Sequence, residues 1–284
     1  MPDYPYPELP RYFADALGIR TAYYAAGTPN GRPVVFLHGM STSADSFRET
    51  MHELADAFWL LAPDIPGFGY SGNTEPYTMP HLVEWLAGFR QALDLPPMAL
   101  VGHSFGGILA VTFALSYPED VTRLLLVAPA ILSHQNYPAL LKKMAASLRL
   151  LELGSAVSQS PPLVNRQIRV PFHDPDAQHE SVWQRRLDDY QQARASASVL
   201  KSTAFHDLRP RLGRLRPPVC IVWGENDPVV PMSDADVLAE MIPDVQVYKL
   251  ARCGHAPMLE RQKTFQEIAR QFLVNDRRPL TSDR

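Results

Sequence analysis

Ala99-Leu100-Val101-Gly102-His103-Ser104-Phe105-Gly106-Gly107 is the stretch on which the reading of this chain turns. Met98 to Val101 are apolar and suit a central parallel strand, and the run from Ile108 to Ala114 is long enough for a buried helix. Between them the chain must reverse sharply and close to its neighbours, which requires minimal side chains two before and two after the serine; Gly102 and Gly106 supply them. Ser104 then projects its hydroxyl above the sheet, the N–H of Phe105 points toward any oxyanion forming there, and the helix N-terminus adds a favourable dipole. By chance alone G-x-S-x-G occurs in roughly one chain in ten of this length. The strand before it and the helix after it are what make this one a nucleophile elbow.

Composition narrows the classes around that motif. The chain has 284 residues, 46% of them hydrophobic and 20% charged, with a formal net charge of −3. That describes an ordinary globular protein with one main domain and room for an insertion. It argues against a nucleic-acid surface and against disorder. No apolar run reaches the length of a membrane span, and Met1-Pro2-Asp3-Tyr4-Pro5-Tyr6-Pro7 lacks the charged and apolar regions of a signal peptide, so the expected location is cytoplasmic. Cys220, in an expected strand, and Cys253, in an expected loop, form neither a metal spacing nor a disulfide framework and read as free thiols. No His-Glu-x-x-His pattern is present, and neither a metal nor a cofactor is expected.

Read in order, Arg20 to Ala26 and Pro33 to Leu37 look like two strands joined in a hairpin by Gly27-Thr28-Pro29-Asn30-Gly31. His38-Gly39-Met40 ends the second, where the N–H of Met40 is placed to act as an oxyanion donor beside that of Phe105 and His38 is expected to fix the loop. A helix is predicted through Phe47, Met51, Leu54 and Phe58, then a strand over Trp59 to Pro63 running into the glycine-spaced loop Asp64 to Gly72. Thr78 opens a helix with Leu82, Trp85, Leu86, Phe89 and Leu93 on one face. Beyond Ser104 and its helix, Val121 to Val127 forms another strand. Alternating strands and helices describe a mostly parallel sheet covered on both faces.

From Ile131 to Phe205 the pattern becomes helical. Leu140, Leu141, Met144, Leu148 and Leu151 trace one apolar stripe. A second helix is predicted to start at Asp174-Pro175 and to carry Trp183, Leu187 and Tyr190. Residues 1–130 and 206–284 therefore form the core domain and residues 131–205 a helical lid, with Leu140, Met144 and Leu148 as candidate substrate contacts. The sheet resumes at Val219 to Trp223 and ends in Gly224-Glu225-Asn226-Asp227. Val245 to Leu250 forms the last strand, running into Gly254-His255, and a closing helix carries Phe265, Ile268 and Phe272.

A serine needs a base within reach, and the base an orienting carboxylate. Ser104, Asp227 and His255 each follow a predicted strand, in the order serine, acid, histidine. Together with His38-Gly39, the loop Asp64 to Ser71 and Trp223-Gly224-Glu225-Asn226-Asp227, these motifs cover nearly the whole chain. The sequence resembles the α/β-hydrolase fold family, and its lidded members in particular.

The resemblance implies Ser104 as nucleophile, His255 as base and Asp227 as its orienter, with the N–H groups of Met40 and Phe105 as oxyanion hole. Some relatives take the acid from the strand after the nucleophile's helix, but that strand ends here in Ala128-Pro129-Ala130. Relatives that open epoxides or remove halides use an aspartate at position 104. Lidded serine members include carboxylesterases, lactonases, proline iminopeptidases and hydrolases of carbon–carbon bonds in ring-cleavage products. The last group places tryptophan after the histidine and asparagine before the serine, where this chain has Ala256 and His103; its lid arginine corresponds to Arg166 or Arg169. The expectation is thus hydrolysis of small-molecule carboxylic esters with water, by a monomer or homodimer, with short to medium acyl chains because the lid stripe closes an apolar space. Carbon–carbon hydrolysis is the alternative, and a receptor without turnover a further one.

Overall fold

The structure, a computed structural model, describes residues 4–132, 161–203 and 206–274. Its centre is an eight-stranded sheet of β1 (Arg11–Ala16), β2 (Ile19–Gly27), β3 (Arg32–Leu37), β4 (Phe58–Pro63), β5 (Met98–His103), β6 (Val121–Val127), β7 (Val219–Gly224) and β8 (Val245–Leu250). The order across the sheet is β1-β2-β4-β3-β5-β6-β7-β8. Strand β2 runs antiparallel to β1 and β4, and every pairing from β4 to β8 is parallel.

Both faces of the parallel strands are buried, which is why they read as continuous apolar runs and not as alternating ones. Successive residues still go to opposite sides: Val35, Leu37, Leu100, Leu124, Leu126, Ile221 and Trp223 belong to one apolar cluster. Val34, Phe36, Val101, Leu125, Val127, Cys220 and Val222 belong to the other. The first cluster is completed by α2 (Met79–Ala92), α3 (Phe105–Ser116) and, further on, the helix Ser233–Met241. The second is completed by α1 (Arg48–Leu54) and the closing helix Gln262–Val274, which buries Phe265, Ile268 and Phe272 as its spacing predicts.

Between β6 and β7 lies a helical insertion. Its described helices are α4 (Pro161–Arg169), α5 (Glu180–Gln191), α6 (Ser196–Thr203) and α7 (Arg209–Leu212). After β7 come α8 (Ser233–Met241), α9 (Pro257–Glu260) and α10 (Gln262–Val274). The insertion hydrogen-bonds loops that leave the C-terminal ends of several strands. The N–H of Ala195 reaches the carbonyl of Gly67 at 3.1 Å, the Arg194 guanidinium reaches the Ser71 carbonyl at 2.7 Å, and the His255 N–H reaches the carbonyl of Pro171 at 2.7 Å. Arg185 meets the Asp45 carboxylate at 2.6 Å, and Ser43 donates to Asp189. This is the edge at which open α/β sheets hold their sites.

Three expectations need correction. The strand before residue 28 does not form a hairpin with the one after it, because β3 lies between β4 and β5; the hairpin is β1–β2, closed by Leu17 and Gly18 at φ 59° and 74°. The helix expected to reach Phe58 stops at Leu54, and Phe58 opens β4. Asp174-Pro175 opens only a short 3₁₀ turn, Pro175–Ala177, while α5 starts at Glu180 with His179 accepting the Ser181 N–H. The stripe Leu140, Leu141, Met144, Leu148 and Leu151 lies outside the described residues. Among the described residues, no helix is long and apolar enough to cross a membrane.

Candidate active site

Ser104 stands between β5 and α3 with φ 52° and ψ −113°. For a non-glycine residue this left-handed backbone is costly and persists only where the surroundings enforce it. The enforcement is visible: the Ser104 N–H is held by the Val127 carbonyl at 3.0 Å, and its own carbonyl accepts from Gly107 at 3.0 Å and Ala130 at 3.2 Å. A Cβ on Gly106 would stand 2.1 Å from the Leu37 carbonyl oxygen, and one on Gly102 would stand 2.6 Å from that of Gly106. Glycine is the residue that fits both positions. Phe105 is the first residue of α3, so its N–H has no acceptor within the helix.

The loop after β3 lies directly beside this elbow. A Cβ on Gly39 would be 2.8 Å from His103 Nδ1 and 3.4 Å from Ser104 Cβ. His38 fixes the loop as expected: its Nδ1–H faces the Gly39 carbonyl at 2.8 Å and its Nε2 accepts the Ile65 N–H at 2.9 Å. Burial pushes its pKa down to about 4, so the ring is neutral. Met40, half-buried, packs on the apolar cluster that contains Phe105. Asp64 gives its two oxygens to the N–H groups of Ala44 and Tyr70, each at 2.8 Å. Burial pushes its carboxyl up to about 6 against those two bonds.

Asp227 and His255 come together across the ends of β7 and β8. Asp227 Oδ2 meets His255 Nδ1 at 2.7 Å, and both side chains are buried. Oδ1 accepts the N–H groups of Val229 and Val230 at 2.8 and 3.0 Å. The Trp223 indole N–H, 3.3 Å from the Val230 carbonyl, braces that turn from below. His255 also rests on the residue that precedes the serine: the His103 and His255 ring centroids are 4.8 Å apart, and His103 Nε2–H donates to the His255 carbonyl at 2.8 Å. Burial, reinforced by the His255 ring, pushes His103 well below the ordinary histidine value. A neutral His103 bonded to the His255 carbonyl is a support for His255.

Some neighbours of the site carry no signal in the sequence pattern. The Pro171 carbonyl lies in an irregular segment, and its bond to the His255 N–H becomes visible only in three dimensions. The arginines also sort differently from expectation. Arg166 is exposed, and Arg169 lies 4.3 Å over the Trp183 ring and 3.7 Å from the exposed Asp176. Arg186, in α5, lies 5.5 Å over the Phe172 ring, and its charge adds to the burial that lowers the His103 pKa; burial lowers its own pKa, and its Nε has no hydrogen-bond partner among the described residues. It sits within a run of α5 charges, Arg185 to Asp189, whose pattern reads as a solvated face although Asp189 is buried and Arg185 nearly so.

A sequence profile of the α/β hydrolase fold matches residues 32–262, and the chain belongs to that family. It is 29% identical over 289 residues to the 2-hydroxymuconate semialdehyde hydrolase of Pseudomonas sp. (strain CF600), covering 94% of this chain and 95% of that protein. It is 27% identical over 285 residues to the monoacylglycerol lipase ABHD6 of Rattus norvegicus, covering 90% of this chain and 80% of that protein. A thermophilic esterase from Thermogutta terrifontis shares the fold, with a TM-score of 0.80 at 22% identity over 93% of this chain and 98% of that one.

Proposed function

We propose that the protein is a serine hydrolase that cleaves carboxylic esters of short to medium acyl chain through an acyl-enzyme. The observation that carries this reading is the His255–Asp227 pair at 2.7 Å, with His255 against His103, the residue that precedes a serine held at φ 52° on a strand-to-helix turn. His255 Nε2 takes the proton from Ser104 Oγ as Oγ bonds to the ester carbonyl carbon. The carbonyl oxygen gains the electron pair and is received by the N–H groups of Met40 and Phe105. The imidazolium, oriented by Asp227, returns the proton to the departing alkoxide. Water then repeats the sequence on the acyl-enzyme and releases the acid. The acyl-length preference rests on the apolar stripe of residues 140–151, and the named lipase and esterase relatives support ester chemistry.

A second reading, hydrolysis of carbon–carbon bonds in ring-cleavage products, draws on the semialdehyde hydrolase relative and on Arg186, a cation whose field reaches His103. Against it stand Ala256 and His103, at positions where that group carries tryptophan and asparagine. The deciding measurement is kcat/KM for nitrophenyl acetate, butyrate, octanoate and palmitate beside that for a phenyl-substituted ring-cleavage dienoate. Esters should dominate, with rates rising and then collapsing with acyl length. A dienoate preferred tenfold or more over the best ester replaces the first reading by the second.

A further inference from the structure

The loop that carries His255 is irregular, so its backbone N–H groups need partners from elsewhere. They find them in a narrow set. Glu260 Oε1 accepts the N–H of Gly254 at 2.9 Å and that of Ala256 at 3.4 Å, the two residues flanking His255. Glu260 Oε2 accepts the N–H of His173, in the insertion, at 2.7 Å. The N–H of His255 itself goes to the carbonyl of Pro171, two residues from His173. One carboxylate thus joins both flanks of the histidine to the insertion segment that holds the histidine's own backbone.

We propose that Glu260 is a positioning residue for His255, clasping Gly254 and Ala256 on one oxygen and His173 on the other, so that seating of the 171–173 segment and placement of the histidine are one event. This rests on the reading of His255 as the base. A general base must be held to a fraction of an ångström, and a misplacement of about 1 Å costs on the order of 100-fold in rate. Hydrogen bonds from N–H groups to a carboxylate are stronger than neutral ones, and those from Gly254 at 2.9 Å and His173 at 2.7 Å are the tight ones here, with Ala256 at 3.4 Å the looser third. Burial raises the Glu260 pKa and the converging N–H groups oppose that rise, consistent with a carboxylate engaged by backbone donors. Nor is Glu260 needed to terminate α9, whose last turn is closed by backbone bonds from Glu260 and Arg261 to Ala256 and Pro257.

The test compares nitrophenyl butyrate hydrolysis by the full chain and by Glu260→Gln and Glu260→Ala, each also in a His255→Ala background. Glutamine keeps the size but turns one acceptor into a donor, so it can serve the loop or the insertion but not both. The expected result is a fall in kcat of about tenfold for Gln and about 100-fold for Ala, with KM within about twofold. In His255→Ala, where no histidine remains to be placed, either substitution should leave the residual rate within about twofold. A fall of equal size in both backgrounds assigns Glu260 to general support and overturns the proposal. So does a Gln variant retaining more than half of wild-type kcat while His255→Ala has lost 100-fold. A His255→Ala protein keeping more than a tenth of the activity overturns the triad reading first and this proposal with it. Should the Glu260 variants not fold, Glu260→Asp takes their place, its shorter side chain unable to span from the Gly254 N–H to the insertion donors of His173 and Asp174; an unchanged kcat there overturns the proposal, and a several-fold fall that vanishes in the His255→Ala background supports it.

Discussion

Asp227 divides its carboxylate, Oδ2 meeting His255 Nδ1 at 2.7 Å while Oδ1 is held by two backbone N–H groups. The division makes Asp227→Asn an informative change. The amide oxygen can keep the two backbone donors, which turns the NH₂ toward His255 Nδ1 and forces the proton onto Nε2, where the ring must accept. Turnover should fall on the order of 10³–10⁴-fold, as when the orienting carboxylate of other triads is replaced, with the melting temperature little changed. Retention of more than about a tenth of wild-type turnover would place the orienting role elsewhere.

Ser104 should be the one residue labelled by an organophosphate or a sulfonyl fluoride, because such reagents trap a base-activated hydroxyl beside oxyanion donors. Intact mass should rise by a single adduct, and Ser104→Ala should gain none. An adduct forming on the alanine variant at the wild-type rate removes the nucleophile assignment.

The elbow was legible in the sequence because its constraint is local: two backbones approach so closely that the glycine spacing is forced. The same holds for His38, whose ring bonds within a few residues of its own strand end and one loop away. The β1–β2 hairpin was not legible. Its turn puts Leu17, with no turn character, at φ 59°, and β1 is an edge strand with Tyr12 and Phe13 facing solvent, so neither alternation nor a turn dipeptide announces it. Glu260 and Pro171 were silent for a different reason: one reads as a surface helix residue and the other as a loop proline, and their partners are set by tertiary placement. The pairing of Asp227 with His255 lies between these cases, readable as strand order and visible as contact only in the fold.

The junction between core and insertion should respond to pH through Asp189. Its carboxyl is pushed up to about 7, first by burial and then by the neighbouring Asp45, with the Ser43 hydroxyl and Arg186 opposing the rise. The unfolded chain releases this proton near pH 4. Between those values the folded protein binds more protons, so this group's contribution to stability falls as pH rises toward 7 and is flat above it. Asp189→Asn, whose amide oxygen can still receive the Ser43 hydroxyl, should therefore gain on wild type with rising pH, on the order of 1 kcal/mol per unit. Thermal melts of both proteins from pH 5 to pH 8 measure this; a constant difference in Tm across the range counts against it.

Two glycine-to-alanine changes should part company. In Gly106→Ala the new methyl meets the Leu37 backbone oxygen at 2.1 Å, so the elbow itself must shift, with loss of about 1–3 kcal/mol and of most activity. In Gly213→Ala the nearest atom is 3.8 Å away and the backbone is already helical at φ −63°, which should be neutral or stabilise by up to about 1 kcal/mol. Melting curves and ester turnover of the two variants, read side by side, decide both; equal losses would contradict the close approach at residue 106.

The contact between Ala195 and Gly67 limits how this protein can be recombined. A Cβ on Gly67 would fall 2.3 Å from that of Ala195, and the two residues also share a backbone hydrogen bond, while the other end of the insertion is fastened to the His255 loop through Pro171. The insertion is therefore not a cassette. A chimera that imports residues 161–203 from a homologue into this scaffold must bring the receiving loops, residues 64–72 and 252–256, from the same parent. Otherwise a bulkier residue at position 195 or a side chain at position 67 collides at one seam, and any displacement of the carbonyl at position 171 leaves the His255 N–H unpaired at the other, whatever the quality of the imported helices.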